Sequence, residues 1–327
     1  MSVVSRRSLF AALSAASAVA TLALTASRRA RGPSRPARVS LGVSALRISL
    51  PLCVAAAHGL FARHGLEVDL QPYPTAQPLI DDLALGRLDA GGFAAWPILF
   101  LAAARSPGPL HVGPAVVEDR DHRLSYVLAR RGAGLRFPRD AAGRRVGVLP
   151  TVAYRRWLAA ILRAAGIDPA RVATIPVAPA MQAQALAAGA VDFLFTNDPM
   201  ATAMLRRGRA ELADDGPPCA LHLGTPFSFG SFALSDRFVR REPDRARRLV
   251  AAVDEAIALA RRDPRAGREA LGAYLRPDEA PYVEHYPDTR YVPSNEAAGV
   301  LPAAIAQARR LGLIDQAPNV TAIRGFA

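Results

Sequence analysis

The chain writes one pattern twice. GRLDAGGFAAWP (86–97) and GAVDFLFTNDPM (189–200) each set an aspartate just beyond a glycine, run through a short apolar stretch and reach a proline. Around both copies, strand-like and helix-like periods alternate. In the first, RISL (47–50) reads as a short strand closed by Pro51, and VAAAHGLFARHG (54–65) as a helix stopped at Gly65. LEVDLQPY puts Leu66, Val68 and Leu70 at alternate positions, the period of a strand. AQPLIDDLALG (76–86) gathers Leu79, Ile80 and Leu83 on one helical face, and DAGGF (89–93) is the next strand. The second copy repeats the order with RRVGVLP (144–150), AYRRWLAAILRAAG (153–166), VATIPV (172–177), PAMQAQALAAG (179–189) and DFLFT (192–196). The offsets are nearly constant: 99 from Pro51 to Pro150, 101 from Gly65 to Gly166, and 103 from both Gly86 to Gly189 and Asp89 to Asp192. Two β-α-β-α-β units predict an α/β fold with two parallel sheets and right-handed crossovers. Asp89 and Asp192, in the turns that start buried strands, read as structural. Binding chemistry in such sheets lies beyond the strand carboxyl ends, where helix N-termini offer free N–H groups. Two units face to face would make a cleft.

Length and charge narrow the class. The 327 residues suffice for about two domains. The formal charge is +13, but Arg6, Arg7, Arg28, Arg29, Arg31, Arg35 and Arg38 all precede the first acid, Glu67, and without those seven it falls to +6 (13 − 7). The remaining charge shows no basic face interleaved with stacking aromatics and no recognisable module, so nucleic acid is not an expected partner. SRRSLFAALSAASAVATLALTAS (5–27) joins paired arginines to a weakly hydrophobic Ala/Ser run, the layout of an export signal. Its S-R-R-x-L-F order resembles the twin-arginine signal. Residues 1–27 are therefore expected to act as a signal handed to the twin-arginine export machinery, with an uncleaved anchor as the other reading, and the Arg- and Pro-rich residues 28–40 as a disordered linker. The expected location is the periplasm.

Enzymatic signatures are scarce. The six histidines show no metal-ligand spacing, no G-x-S-x-G surrounds any serine, and GAG at 132–134 does not open a helix. Cys53 and Cys219 lie far apart and read as small buried hydrophobes. No catalytic residue, metal or cofactor is expected.

With these segments in view, the stretch SLPLCVAAAHGLFARHGLEVDLQPYPTAQPLIDDLALGRLDAGGF resembles the first lobe of periplasmic substrate-binding proteins of the nitrate/sulfonate/taurine ABC-transporter type. AAGRRVGVLPTVAYRRWLAAILRAAG and the residues that follow to Met200 are similar to their second lobe, and SFALSDRFVRREPDRARRLVAAVDEAIALARRDP to the return segment and its long helix. The resemblance covers roughly residues 45–325. It implies a two-lobed clamshell of the type II-like periplasmic binding protein fold. Lobe one would be 41–127 plus 228–327 and lobe two 128–227, joined by crossing strands at 124–130 and 228–235. It further implies a monomeric receptor that closes on a small molecule and presents it to an ABC permease in the inner membrane. Carried over position by position, five turns would face the ligand: Ser49 and Leu52; Thr75 and Gln77; Phe93 to Trp96; Thr151, Val152 and Tyr154; Asn197 and Asp198. Thr75 and Thr151 can cap helices whose free N–H groups take an anion, and Trp96 and Tyr154 supply an apolar wall with a polar tip. Read structurally, the same threonines are plain caps and Trp96 is core. Asp198 in the cleft would repel a plain anion such as nitrate and favour a ligand bearing an amine, a ring N–H or a hydroxyl. An enzyme on the same fold and a membrane-tethered ligand sensor are the competing readings.

Overall fold

The computed structural model describes residues 38–314 and 323–326; the expected signal lies outside them. The alternation V-S-L-G-V-S buries Val39, Leu41 and Val43 and forms strand β1 (Val39–Ser44). The first strand is therefore not RISL. Arg47–Ser49 is a 3₁₀ turn, and Pro51 lies in the first turn of α1 (Leu50–Ala57), where a missing N–H costs little. Val39 and Ser40, read as the end of the linker, pair with Val68 and Asp69. Gly59, at φ +65°, splits the expected helix 54–65 into α1 and α2 (Leu60–Arg63). The chain continues through β2 (Val68–Tyr73), α3 (Ala76–Ala84), β3 (Ala90–Ala95), α4 (Trp96–Ala103) and β4 (Leu110–Glu118).

The second half holds β5 (Ser125–Arg130), β6 (Arg145–Val148), α5 (Val152–Ala164), β7 (Ala173–Pro176), α6 (Gln182–Ala187), β8 (Phe193–Asn197), α7 (Met200–Arg206), β9 (Ala210–Leu212) and α8 (Pro218–Leu223). The chain then returns through β10 (Phe227–Ser235), α9 (Asp236–Arg241), α10 (Pro243–Arg262), α11 (Pro264–Gly272), β11 (Arg290–Val292), α12 (Val300–Arg310) and β12 (Ile323–Gly325). Among the described residues there are two sheets. One runs β11-β4-β10-β3-β1-β2 with β12 on β4, the other β7-β6-β8-β5-β9. In each, three parallel strands meet one antiparallel strand: β10 beside β3, and β5 beside β8. The chain passes between sheets at residues 119–124 and 213–226; β5 and β10 each lie wholly within one sheet.

The duplicated aspartates do the same job in both sheets. Asp89 donates its N–H to the Ser40 carbonyl (3.0 Å) and accepts from the Ser40 N–H on its carboxylate (3.0 Å). Asp192 makes the matching pair with Arg145, at 2.8 Å and 2.8 Å. Each bracket locks a third strand to a first, and each follows a glycine with positive φ, Gly86 at +71° and Gly189 at +68°, that ends a helix. The first sheet's outer layer is completed by α10, whose Leu249, Val253 and Ile257 are fully buried and which packs on α1. Each such side chain is worth about 1.5–3 kcal/mol of apolar burial.

Candidate functional site

The two sheets meet where a guanidinium from one faces a carboxylate from the other. Arg47, in the turn after β1, and Asp198, just past β8, are 2% and 0% exposed, with Arg47 Nε 3.1 Å from Asp198 Oδ2. The Tyr126 hydroxyl donates to Asp198 Oδ2 (2.8 Å) and the Thr202 N–H to Oδ1 (3.0 Å). The Arg47 N–H donates to the Asp198 carbonyl (3.2 Å), so side chain and backbone both cross the seam. The far Nη groups of Arg47 donate to the carbonyls of Pro287 and Arg123 and to Thr289 Oγ1. Burial opposes the Arg47 charge, but Asp198 and the surrounding tyrosines and Glu118 outweigh it and raise its pKa. Burial, and then Asp198, push the Tyr126 hydroxyl far above its usual range, which keeps it a donor. The Asp198 carboxylate, expected to meet a ligand's donor group, is thus engaged by Arg47, Tyr126 and Thr202.

A second crossing contact sits at the N-terminus of α5. Thr151 caps it by accepting from the Tyr154 N–H (3.4 Å), and Gln77 of α3 reaches across to accept from the Val152 N–H (3.3 Å). One of the free N–H groups expected to face a ligand therefore bonds a side chain of the opposite half. Behind this turn, Tyr154 packs on Phe195 (ring centroids 4.8 Å), and Trp157 on Phe229 (4.7 Å) and Phe227 (5.5 Å) of β10. The Tyr154 hydroxyl and Asn197 Oδ1 are buried there with no hydrogen-bond partner.

The other expected residues go elsewhere. Thr75 is the N-cap residue of α3, buried, but its side chain makes no capping bond. Ser49 Oγ lies 3.1 Å from Ser44 Oγ, beneath the Arg47 turn. Leu52 and Phe93 are fully buried in the first half, with Phe93 against Phe232 and Tyr291. Trp96 stacks on Phe100 and lines a cavity of about 410 Å³ shared with β4, β10 and residues 294–302, with no lining residue from the second sheet.

Sequence reasoning missed Arg47 and the two crossing segments. From Val39 to Ala62, Arg47 is the one Asp, Glu, Lys or Arg in a largely apolar run, the signal that could have marked it. At the crossings, Glu118 is fully buried and accepts from the Leu124 N–H (2.8 Å), the Ser125 N–H and hydroxyl, and the Ala220 N–H (2.9 Å). Arg123 of the first crossing pairs with buried Asp214 of the second (2.8 Å). EDRDHR (118–123), easily taken for a solvated loop, thus contains the pins of both passages. Burial pushes the Glu118 carboxyl up, against the pull of these hydrogen bonds.

Both cysteines are buried; burial lifts the Cys53 thiol to about 12 and the Cys219 thiol well above its usual range, so neither is primed as a nucleophile. Among the described residues no His/Cys/Asp/Glu group is arranged to hold a metal, and no helix is long and apolar enough to cross a membrane.

Residues 48–267 match the family described as NMT1/THI5 like. No curated protein sequence matches. Among solved structures, the alkanesulfonate-binding protein SsuA from Xanthomonas axonopodis pv. citri bound to MOPS is similar at a TM-score of 0.71 and 21% identity, covering 90% of this chain and 100% of that one. The periplasmic aliphatic sulphonate binding protein SsuA from Escherichia coli follows at 0.66 and 19%, with coverages of 87% and 96%. The periplasmic nitrate-binding protein NrtA from Synechocystis PCC 6803 gives 0.65 and 17%, with 87% and 84%. These likenesses establish the fold as that of the periplasmic binding proteins.

Proposed function

The chain belongs to the NMT1/THI5-like family, and from that premise we propose that it is the solute-binding receptor of an ABC import system. In this reading the half built on the first sheet (β1–β4 with β10–β12) forms one lobe and the half built on the second (β5–β9) the other, so the expected boundary at 127/128 moves to the passage 119–124, because β5 lies wholly in the second sheet. The receptor is a monomer, delivered to the periplasm by the twin-arginine route, and it captures a small organic molecule of sulfonate or taurine-like kind and presents it to an inner-membrane permease. The sulfonate- and nitrate-binding proteins among its structural neighbours support this reading. So does one feature of the seam: Tyr154 OH and Asn197 Oδ1 are buried polar atoms with no protein partner, one from each of two adjoining elements, where buried polar groups are normally satisfied. A ligand with a donor for Asn197 and an acceptor for Tyr154 would complete them. Because Arg47 and Asp198 already neutralise each other, a zwitterion such as taurine suits this seam better than a bare anion such as nitrate, which would be buried uncompensated. Closure follows from tighter binding to the shut state than to the open one.

The test is mass spectrometry of small molecules released from natively purified protein, then thermal-shift titration with the compound found. A receptor releases its ligand unchanged and melts higher as ligand rises, because binding to the folded state alone stabilises it. Conversion of that compound during incubation would transfer the reading to an enzyme on the same fold.

A further inference from the structure

One outer face of the molecule carries cations with no acids to meet them. The runs 141–167 and 297–314 hold seven arginines and no Asp or Glu. The first run contains α5, which buries Tyr154, Trp157, Leu158, Ile161 and Leu162. Val152, Arg155, Arg156, Ala159 and Arg163 fall at i, i+3, i+4, i+7 and i+11 and so share another stripe of the same helix. These five residues, with Gly312 from the turn after α12, line a groove of about 320 Å³. Its walls come from both halves of the fold: α5 packs with the second sheet, whereas α12 packs on β10 of the first. Arg156 Nη1 donates to the Leu313 carbonyl between them.

No acid lines the groove. Arg155 and Arg163 are exposed, and among the described residues neither guanidinium has a carboxylate or carbonyl partner. Exposed arginines elsewhere are commonly paired, as Arg63 is with Glu255 (2.8 Å), Arg240 with Asp236 (2.9 Å) and Arg265 with Glu269 (2.9 Å). Eight residues of helix set Arg155 and Arg163 about 12 Å apart along the axis, so a lone sulfate or carboxylate reaches only one of them. An extended peptide rises about 3.3 Å per residue and turns alternate side chains the same way, which sets acids at its positions i and i+4 about 13 Å apart on one side. Such a segment meets both guanidiniums at once. A concave groove also suits a strand of chain better than a flat bilayer.

We propose that this groove docks an acidic peptide segment of a partner protein, lying extended along α5 with carboxylates four residues apart. Charge-assisted hydrogen bonds from Arg155 and Arg163 hold it. Only Val152 is shared with the turns expected to face a small ligand, and the two arginines lie outside those turns, so failure of the receptor reading would leave this site standing.

The experiment titrates the full chain with a hexaglutamate peptide carrying a benzophenone and maps the photo-crosslinks by mass spectrometry. Residues 28–38 are themselves arginine-rich, so the yield is read at 152–164. That yield should saturate with peptide, fall at high salt, and be absent with hexaglutamine. Arg155→Gln combined with Arg163→Gln should weaken it about tenfold or more, roughly 1.4 kcal/mol. Arg171→Gln combined with Arg262→Gln removes the same charge from exposed positions outside the groove and should leave it nearly unchanged. Both double variants alter exposed side chains alone, so their unfolding midpoints should match the parent. Crosslinks confined to 28–38, or equal losses in the two double variants, overturn the proposal. Binding to phosphatidylglycerol vesicles with no crosslink at 152–164 also overturns it, and would make this face a membrane contact.

Discussion

Asp198 and Glu118 are equally buried, and the fold keeps them by opposite means. Asp198 faces a guanidinium delivered by the other half of the molecule, with Tyr126 and Thr202 completing its shell. Glu118 makes no direct ion pair among the described residues, although its charge reaches Arg47; it is held by N–H and O–H donors from residues 124, 125 and 220. The first arrangement exists only while the halves are together. The second concerns the passages alone, whatever the halves do. In the proposed receptor, one carboxylate would therefore report closure and the other shape the pivot.

The largest effect should come from Arg47→Met. It strands Asp198 without a counter-charge, and removing one partner of a buried pair costs about 3–5 kcal/mol, to be read from urea unfolding. A loss under about 1 kcal/mol would mean that Asp198 is solvated and that the contrast with Glu118 fails. Adding Asp198→Leu to Arg47→Met sharpens the point: the double variant should recover most of the loss, since a buried ion pair is worth little more than the apolar groups that replace it. Glu118→Gln comes next, at about 2 kcal/mol, because an amide turns its NH2 toward backbone N–H donors that need an acceptor. In the proposed receptor it should also alter ligand on- and off-rates, measured by stopped flow, more than it alters affinity. Tyr126→Phe should cost about 1.5 kcal/mol by removing one hydrogen bond to a charged group; the same loss in an Asp198→Leu background would show that the bond is not what stabilises.

The smallest effect is one of pH, at the neighbouring Asp119. Burial pushes its carboxyl up, but His122, Arg290 and the N–H groups of residues 121 and 122 outweigh it and bring it down to about 2. A depressed carboxyl stabilises the fold above its unfolded value, near about 4, and loses that contribution as pH falls through about 2. Asp119→Asn should flatten the acid limb of the stability profile, followed by circular dichroism between these values. An unchanged limb would show that Asp119 does not set it.

Much of this molecule could be read from its sequence because helices and half-buried strands impose periods of their own. The α5 segment and the strands β2 and β8 fall close to where periodicity put them. Gly65, Gly86, Gly166 and Gly189, all of positive φ, mark helix ends because a side chain there is strained. β1 was obscured by its position: V-S-L-G-V-S follows an arginine- and proline-rich run, and a proline behind RISL suggested a stop where the fold uses it as a helix start. The seam was harder. A lone arginine carries no period, and its partner lies 151 positions away (198 − 47), so only the fold brings the two together. Glu118 was hidden in the same way, since its partners are mostly backbone N–H groups, which every sequence supplies.

The two passages of chain between the sheets set an order in which each sheet can be completed. The second sheet is made from one unbroken run, β5 to β9, and can be complete when residue 212 has been synthesised. The first sheet cannot. Its fully buried strand β10 begins at Phe227, and until then β3 and β4 are two open edges with nothing between them. A chain growing from its N-terminus can thus finish its inserted half first, whereas the host half, although begun earlier, is joined across its middle only when β10 arrives, with β11 and β12 added to β4 after it.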